Sequence, residues 1–203
     1  MEKLQSTARK LDIFFQILQI CCTVAIVASI VVLLMIGACF AFKLDPEMIG
    51  TGYEVIEIGA IELELAQGYA PDKHQVLIVS AVGMVLDIAV ILLAYACLKA
   101  IRSLLQPMKE GSPFHESASA CLKKLALLIL GVGVLVNAAD LLGLLLMEKG
   151  YGLSRILLGE NILRVTFHYE LNLSWFAVSA ILLLLSYIFH YGQALQQLSD
   201  ETL

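Results

Sequence analysis

Long apolar runs alternate with short polar segments along this chain, and four of the runs are candidates to cross a bilayer. A helix rises about 1.5 Å per residue, so a hydrocarbon core about 30 Å thick needs about 20 apolar residues. Ile20–Phe42, Val76–Leu98 and Leu125–Met147 are 23 residues each; the first has no charge, the second only Asp87 and the third only Asp140. The fourth run, Leu173–Phe189, is shorter and wholly uncharged, with Trp175 at one end and Tyr187 and Tyr191 at the other. Aromatic residues so placed match the belts found at membrane interfaces. The pattern predicts an all-α membrane protein, a single four-helix transmembrane domain over 1–203 with spans near 20–42, 76–98, 125–147 and 173–189. The first run is too long for a cleaved signal peptide and is expected to remain.

The connecting segments differ from one another. The 33 residues of 43–75 are too many for a tight turn and should hold structure of their own. Tyr53–Ile58 and Ile61–Leu65 are short β-prone runs around Gly59-Ala60, and Ile61, Leu63 and Leu65 alternate with Glu62 and Glu64. That is the period-two pattern of a half-buried hairpin; a short helix with an acidic edge is the alternative. In 148–172, Val165, Phe167, Tyr169 and Leu171 alternate with Arg164, Thr166, His168 and Glu170. A hairpin alone is marginal in water, so a third strand from 148–172 is expected to complete a small sheet over the helix ends. The segment 99–124 instead predicts a helix through Leu104-Leu105, a break at Gln106-Pro107, and a turn at Gly111-Ser112-Pro113-Phe114. His115, Glu116 and Ser117 then sit at the start of the third helix, with Phe114 placed as a hydrophobic staple.

Composition narrows the class further. The 203 residues are 60% hydrophobic and 15% charged, with a mean hydropathy of +0.86, which excludes an ordinary water-soluble domain. Thirteen Lys and Arg against eighteen Asp and Glu leave a net charge of −5, no footprint for direct nucleic-acid binding. Eight of the basic residues (Lys3, Arg9, Lys10, Lys99, Arg102, Lys109, Lys123, Lys124) precede the first run or lie in 99–124, against five in 43–75 and 148–172. Basic residues are retained in the cytoplasm, so both termini, the loop 99–124 and the tail 190–203 are expected there. The segments 43–75 and 148–172 then become outer loops forming a small extracytoplasmic β-structured cap. None of the five cysteines falls in an outer loop, so extracytoplasmic disulfides are not expected. Cys21, Cys22, Cys97 and Cys121 lie near the inner face. With no Cys-x-x-Cys spacing they are read as buried small apolar residues, ahead of palmitoylation or a thiolate metal site. His74, His115, His168 and His190 lack a second ligand at helical spacing, so no metal site is expected.

Two short motifs carry a family resemblance. The four-span plan, the Gly111-Ser112-Pro113-Phe114 turn before the third span, and the ending from Gly192-Gln193-Ala194-Leu195 to Asp200-Glu201-Thr202-Leu203 resemble the bacterial integral membrane proteins of domain of unknown function 2975. The match covers nearly the whole chain. It departs from the family at His115, where a hydroxyl residue is usual. The resemblance implies a bacterial cytoplasmic membrane and no known catalytic activity. Members are often encoded beside small helix-turn-helix regulators, which implies by analogy a cytoplasmic transcriptional regulator as partner.

Polar residues inside the apolar runs are the remaining signal. Asp87 is the twelfth of 23 residues in its run, near the bilayer centre, where an ionised Asp costs about 2.5–3.5 kcal/mol. Asn137 lies at nearly the same depth, so a hydrogen bond between them is allowed, and Gly133, Asn137 and Asp140 are expected to share one inward helix face. Asp87, Asn137 and Asp140 form either interhelical glue, with Asp87 protonated, or an ion or small-molecule site. No Gly-x-Ser-x-Gly, Walker, Rossmann or His-Glu-x-x-His motif is present, and no internal repeat supports a transporter. The sequence therefore points away from an enzyme and from cofactors. Its first functional expectation is a signalling or regulatory membrane protein that binds a cytoplasmic partner through Gly111, Pro113, Phe114, Leu195, Asp200 and Thr202, with homo-oligomerisation open. The alternative is an ion- or small-molecule-binding protein using Asp87, Asn137 and Asp140.

Overall fold

The computed structural model describes residues 2–42, 55–58, 61–64, 73–109, 117–151 and 171–201. Their elements are helix α1 (Glu2–Phe42), strands β1 (Val55–Ile58) and β2 (Ile61–Glu64), and helices α2 (Lys73–Lys109), α3 (Ser117–Tyr151) and α4 (Ser174–Glu201). All four helices are long and apolar enough to cross a membrane, which makes this a multi-pass membrane protein in kind. The helices continue past the apolar runs into flanking polar sequence and so outrun the expected spans. α1 begins 18 residues before Ile20, and α4 ends 12 residues past Phe189.

One expected boundary is corrected. Gln106-Pro107 does not break α2, which continues through Pro107 to Lys109. Proline removes one ladder hydrogen bond and crowds the preceding turn. Here the turn beyond it is held from outside, because Lys109 reaches Asp12 of α1 with an ion pair.

The chain divides into two compact units. The first comprises residues 1–27, 89–137 and 171–203, the second 28–88 and 138–170. In the first, α3 and α4 run antiparallel: Ser179 Oγ donates to the Ala126 carbonyl and Ser186 Oγ to the Ser119 carbonyl, both at 2.8 Å. The steps are seven residues on each helix, the repeat that keeps one seam facing a neighbour. Small residues admit the close approach. A Cβ on Gly133 would overlap Trp175 Cβ and lie 3.0 Å from its Cγ. The buried side chains Ala118, Leu122, Leu125, Ala126 and Val132 of α3, with Ala100 and Leu105 of α2, form the apolar part of this unit.

In the second unit Ile36 and Cys39 of α1 cluster with Leu77 of α2, flanked by Val32, Ala81 and Met84. The Phe40 ring meets His74 edge-on, centroids 4.5 Å apart. β1 and β2 pair antiparallel, Ile56 opposite Leu63 and Ile58 opposite Ile61. The strand expected at 164–171 lies outside the described residues, save Leu171, which is in neither helix nor strand.

Cysteine burial departs from expectation. Only Cys39 is buried; Cys22, Cys97 and Cys121 are half-buried and Cys21 is exposed. An apolar membrane environment explains this, since a lipid-facing cysteine need not hide from its solvent. The same holds for Ile13, Phe14, Ile17, Ile20, Val24 and Val27, exposed along α1.

Candidate functional site

Asp87 and Asp140 come together. Asp87 on α2 and Asp140 on α3 line one open groove of about 350 Å³ with Val79, Ser80, Gly83, Leu86, Ala139, Gly143 and Leu146. The spacings explain the lining: Ser80, Gly83 and Asp87 recur at steps of three and four on α2, as Asp140 and Gly143 do on α3, so each set shares a helix face. Gly83 and Gly143 have open space where a Cβ would stand, which widens the groove beside the carboxylates. Both carboxylates are exposed within it. Neither makes a hydrogen bond or an ion pair among the described residues. An anionic pair so placed can accept hydrogen bonds from, or pair with, a cation or a polar ligand.

Asn137 is used differently and does not line that groove. It is buried, 6% exposed, and its Nδ2 donates to the Gly133 carbonyl at 2.7 Å and to the Asn172 carbonyl at 3.2 Å. Its Oδ1 accepts from the Asn172 backbone N–H at 2.8 Å. Asn172 in turn accepts at Oδ1 from the Ser174 backbone N–H and hydroxyl, an Asx turn at the start of α4. The Leu173 carbonyl accepts the first helical N–H groups, from Phe176 and Ala177. Asn137 therefore anchors the beginning of α4 on α3. The single inward face expected for Gly133, Asn137 and Asp140 is split, with Gly133 and Asn137 directed to α4 and Asp140 to the groove.

A polar cluster outside the site residues expected from sequence joins α1 to α2. Arg102 Nε donates to Asp12 Oδ1 at 2.9 Å, its Nη1 donates to Gln19 Oε1 at 2.6 Å, and Lys109 donates to Asp12 Oδ2. Asp12 and Gln19 are seven residues apart, as are Arg102 and Lys109, so each pair recurs on one side of its helix. That shared spacing was the signal available in the sequence. A second one runs from just before α4 along it, where Asn172, Ser179, Ser186 and Gln193 form a polar heptad series whose last three members are buried.

Of the expected partner surface, Leu195 is exposed on α4 and Asp200 lies in the same helix. Gly111, Pro113, Phe114 and Thr202 lie outside the described residues, as do His115, Glu116 and His168. His190 is exposed and His74 packs on Phe40. Among the described residues no group of three or more His, Cys, Asp or Glu is placed to hold a metal ion. In comparisons with known proteins the chain matches no family model, no curated protein and no solved structure.

Proposed function

We propose that this multi-pass membrane protein binds a small cation or polar ligand in the α2/α3 groove, with Asp87 and Asp140 as the ligand-facing charges. The observation that carries this is the convergence of the only two acids within the apolar runs on one groove, with no protein partner for either among the described residues. Intramembrane carboxylates are costly, and those that persist face a partner, a cavity or a pathway. The role is binding rather than catalysis. Asn137 belongs to the scaffold in this scheme and supports the helix that packs on α3.

The proposal includes the finer placement expected from charge and resemblance: a bacterial cytoplasmic membrane, both termini and 99–124 inside, and a cap outside to which β1 and β2 contribute. Kinship to domain of unknown function 2975 is part of it. The test is sodium binding to purified, reconstituted protein, beside Asp87→Asn and Asp140→Asn. Saturable binding that is lost in Asp87→Asn is expected. Binding unchanged by both substitutions would overturn the groove as the site.

A second reading, regulation through a cytoplasmic transcriptional regulator, draws on Leu195 and Leu198. They are exposed three residues apart in the last turns of α4, beyond the fourth apolar run. Two large apolar side chains on one helix face are suited to docking in a partner's groove. Loss of a co-purifying helix-turn-helix protein from a variant truncated after Tyr191, with retention by the intact chain, is the expected result under that reading.

A further inference from the structure

The first turns of α1 combine a basic pair with an apolar strip, and the two are arranged head to tail. Gln5, Ser6, Arg9, Lys10 and Ile13 line a shallow surface groove of about 280 Å³. Ile13, Phe14 and Ile17 continue from it along α1, each 55–59% exposed. At 100° per residue Ser6, Lys10, Ile13 and Ile17 fall on one face, while Ala8, Asp12 and Gln19 fall on the opposite one. The side chains agree, since Ala8 and Gln19 are buried and Asp12 turns to α2.

Charge completes the picture. Both oxygens of Asp12, the nearest acid along α1 among residues with described side chains, are taken by Arg102 and Lys109. Asp12 therefore neutralises neither Arg9 nor Lys10, and both are exposed with no ion pair among the described residues. Order along the helix places them. The exposed apolar residues of α1 begin at Leu11, directly after Arg9 and Lys10. A basic pair at the start of an apolar strip suits the boundary between lipid headgroups and acyl chains.

We infer that this face of α1 is a binding site for an anionic phospholipid, its phosphate held by Arg9 and Lys10 and the start of its acyl chains laid along Ile13, Phe14 and Ile17. The guanidinium supplies paired donors to phosphate oxygens and the ammonium a point charge. A free phosphate would use the basic pair alone; a lipid uses the apolar strip as well.

The experiment is native mass spectrometry of the full-length protein in mild detergent, titrated with dioleoyl phosphatidylglycerol or dioleoyl phosphatidylcholine. The anionic lipid should bind about 30-fold more tightly, the effect of two basic contacts at a membrane surface. Arg9→Gln with Lys10→Gln should abolish the preference, whereas Arg9→Lys with Lys10→Arg should keep it and so separate charge from misfolding. Lys123→Gln with Lys124→Gln, also exposed, should leave it unchanged. Equal retention of the two lipids, or equal loss in the two glutamine doubles, would overturn the inference. Displacement of the lipid by inorganic phosphate at equal concentration would make the site a free-anion site and overturn it as well.

Discussion

The α3/α4 seam and the α2/α3 groove both place polar side chains inside apolar helices, and they treat them in opposite ways. In the seam Ser179 and Ser186 are 2% and 8% exposed, and each donates to a backbone carbonyl of the neighbouring helix. In the groove Asp87 and Asp140 are exposed and have no such partner among the described residues. A hydroxyl can be satisfied by a carbonyl oxygen that is already present, whereas an ionised carboxylate needs donors or a cation that a helix surface does not offer. Polar side chains thus serve assembly in the seam and stay without a protein partner, among the described residues, in the groove. Substitutions in the two places should therefore separate stability from binding.

The largest stability effect is expected at Gly133. In Gly133→Ala the added methyl meets Trp175 Cβ, a main-chain-proximal atom that cannot swing aside, so α3 and α4 must part. Overpacking of this kind costs about 1–3 kcal/mol. Trp175 is the only tryptophan, so its fluorescence reports on the site directly. A lower thermal midpoint in detergent with a shifted emission maximum is expected; an unchanged midpoint would mean that the seam is looser than its geometry.

Next in size is the Asp12 cluster. Asp12→Asn keeps the shape but removes the charge that holds Arg102 and Lys109, whose side chains are 32% and 27% exposed. Hydrogen bonds to charged groups contribute about 1.5–3 kcal/mol when buried, and partial exposure reduces this to about 1–2 kcal/mol. The turn beyond Pro107 should loosen first, read as faster amide exchange at Met108 and Lys109 than in the rest of α2.

These two sites also show what the sequence made legible. Four helices followed from apolar runs alone, because a bilayer demands length and composition more than detail. The extent of α2 did not follow, because the local rule for proline was overridden by an ion pair from Lys109 to a residue 97 positions away. Asp87 and Asp140 stood out as isolated charges in apolar runs, and the groove joins them. Asn137 was grouped with them by depth and helical spacing, but which side of a helix a side chain serves depends on the neighbour, and Asn172 took its amide. The serines stand at heptad spacing, but a single serine in a membrane helix carries little weight until its partner carbonyl is known.

A smaller effect is expected from Ser179→Ala. Interhelical hydrogen bonds in membranes average about 0.6 kcal/mol, because the separated helices also find partners. A double-mutant comparison with Ser186→Ala should be additive, as the two bonds lie two turns apart and share no atoms. A strongly non-additive result would show that the seam shifts register as a unit instead of losing bonds singly.

The smallest stability effect, and the one that bears most on the comparison, is expected from Asp87→Asn. The amide is isosteric, and it removes a charge whose insertion near the bilayer centre costs about 2.5–3.5 kcal/mol when ionised. If Asp87 were interhelical glue, the substitution should lower the thermal midpoint by at least as much as Ser179→Ala does. If it faces a ligand, the midpoint in ligand-free detergent should stay level or rise. Stabilisation by added sodium should then disappear, because a ligand stabilises only the state that binds it. Measuring the midpoints of the parent, Ser179→Ala and Asp87→Asn with and without sodium sets the two regions against each other. A seam residue should change the baseline and keep the sodium response, and a groove residue should do the reverse.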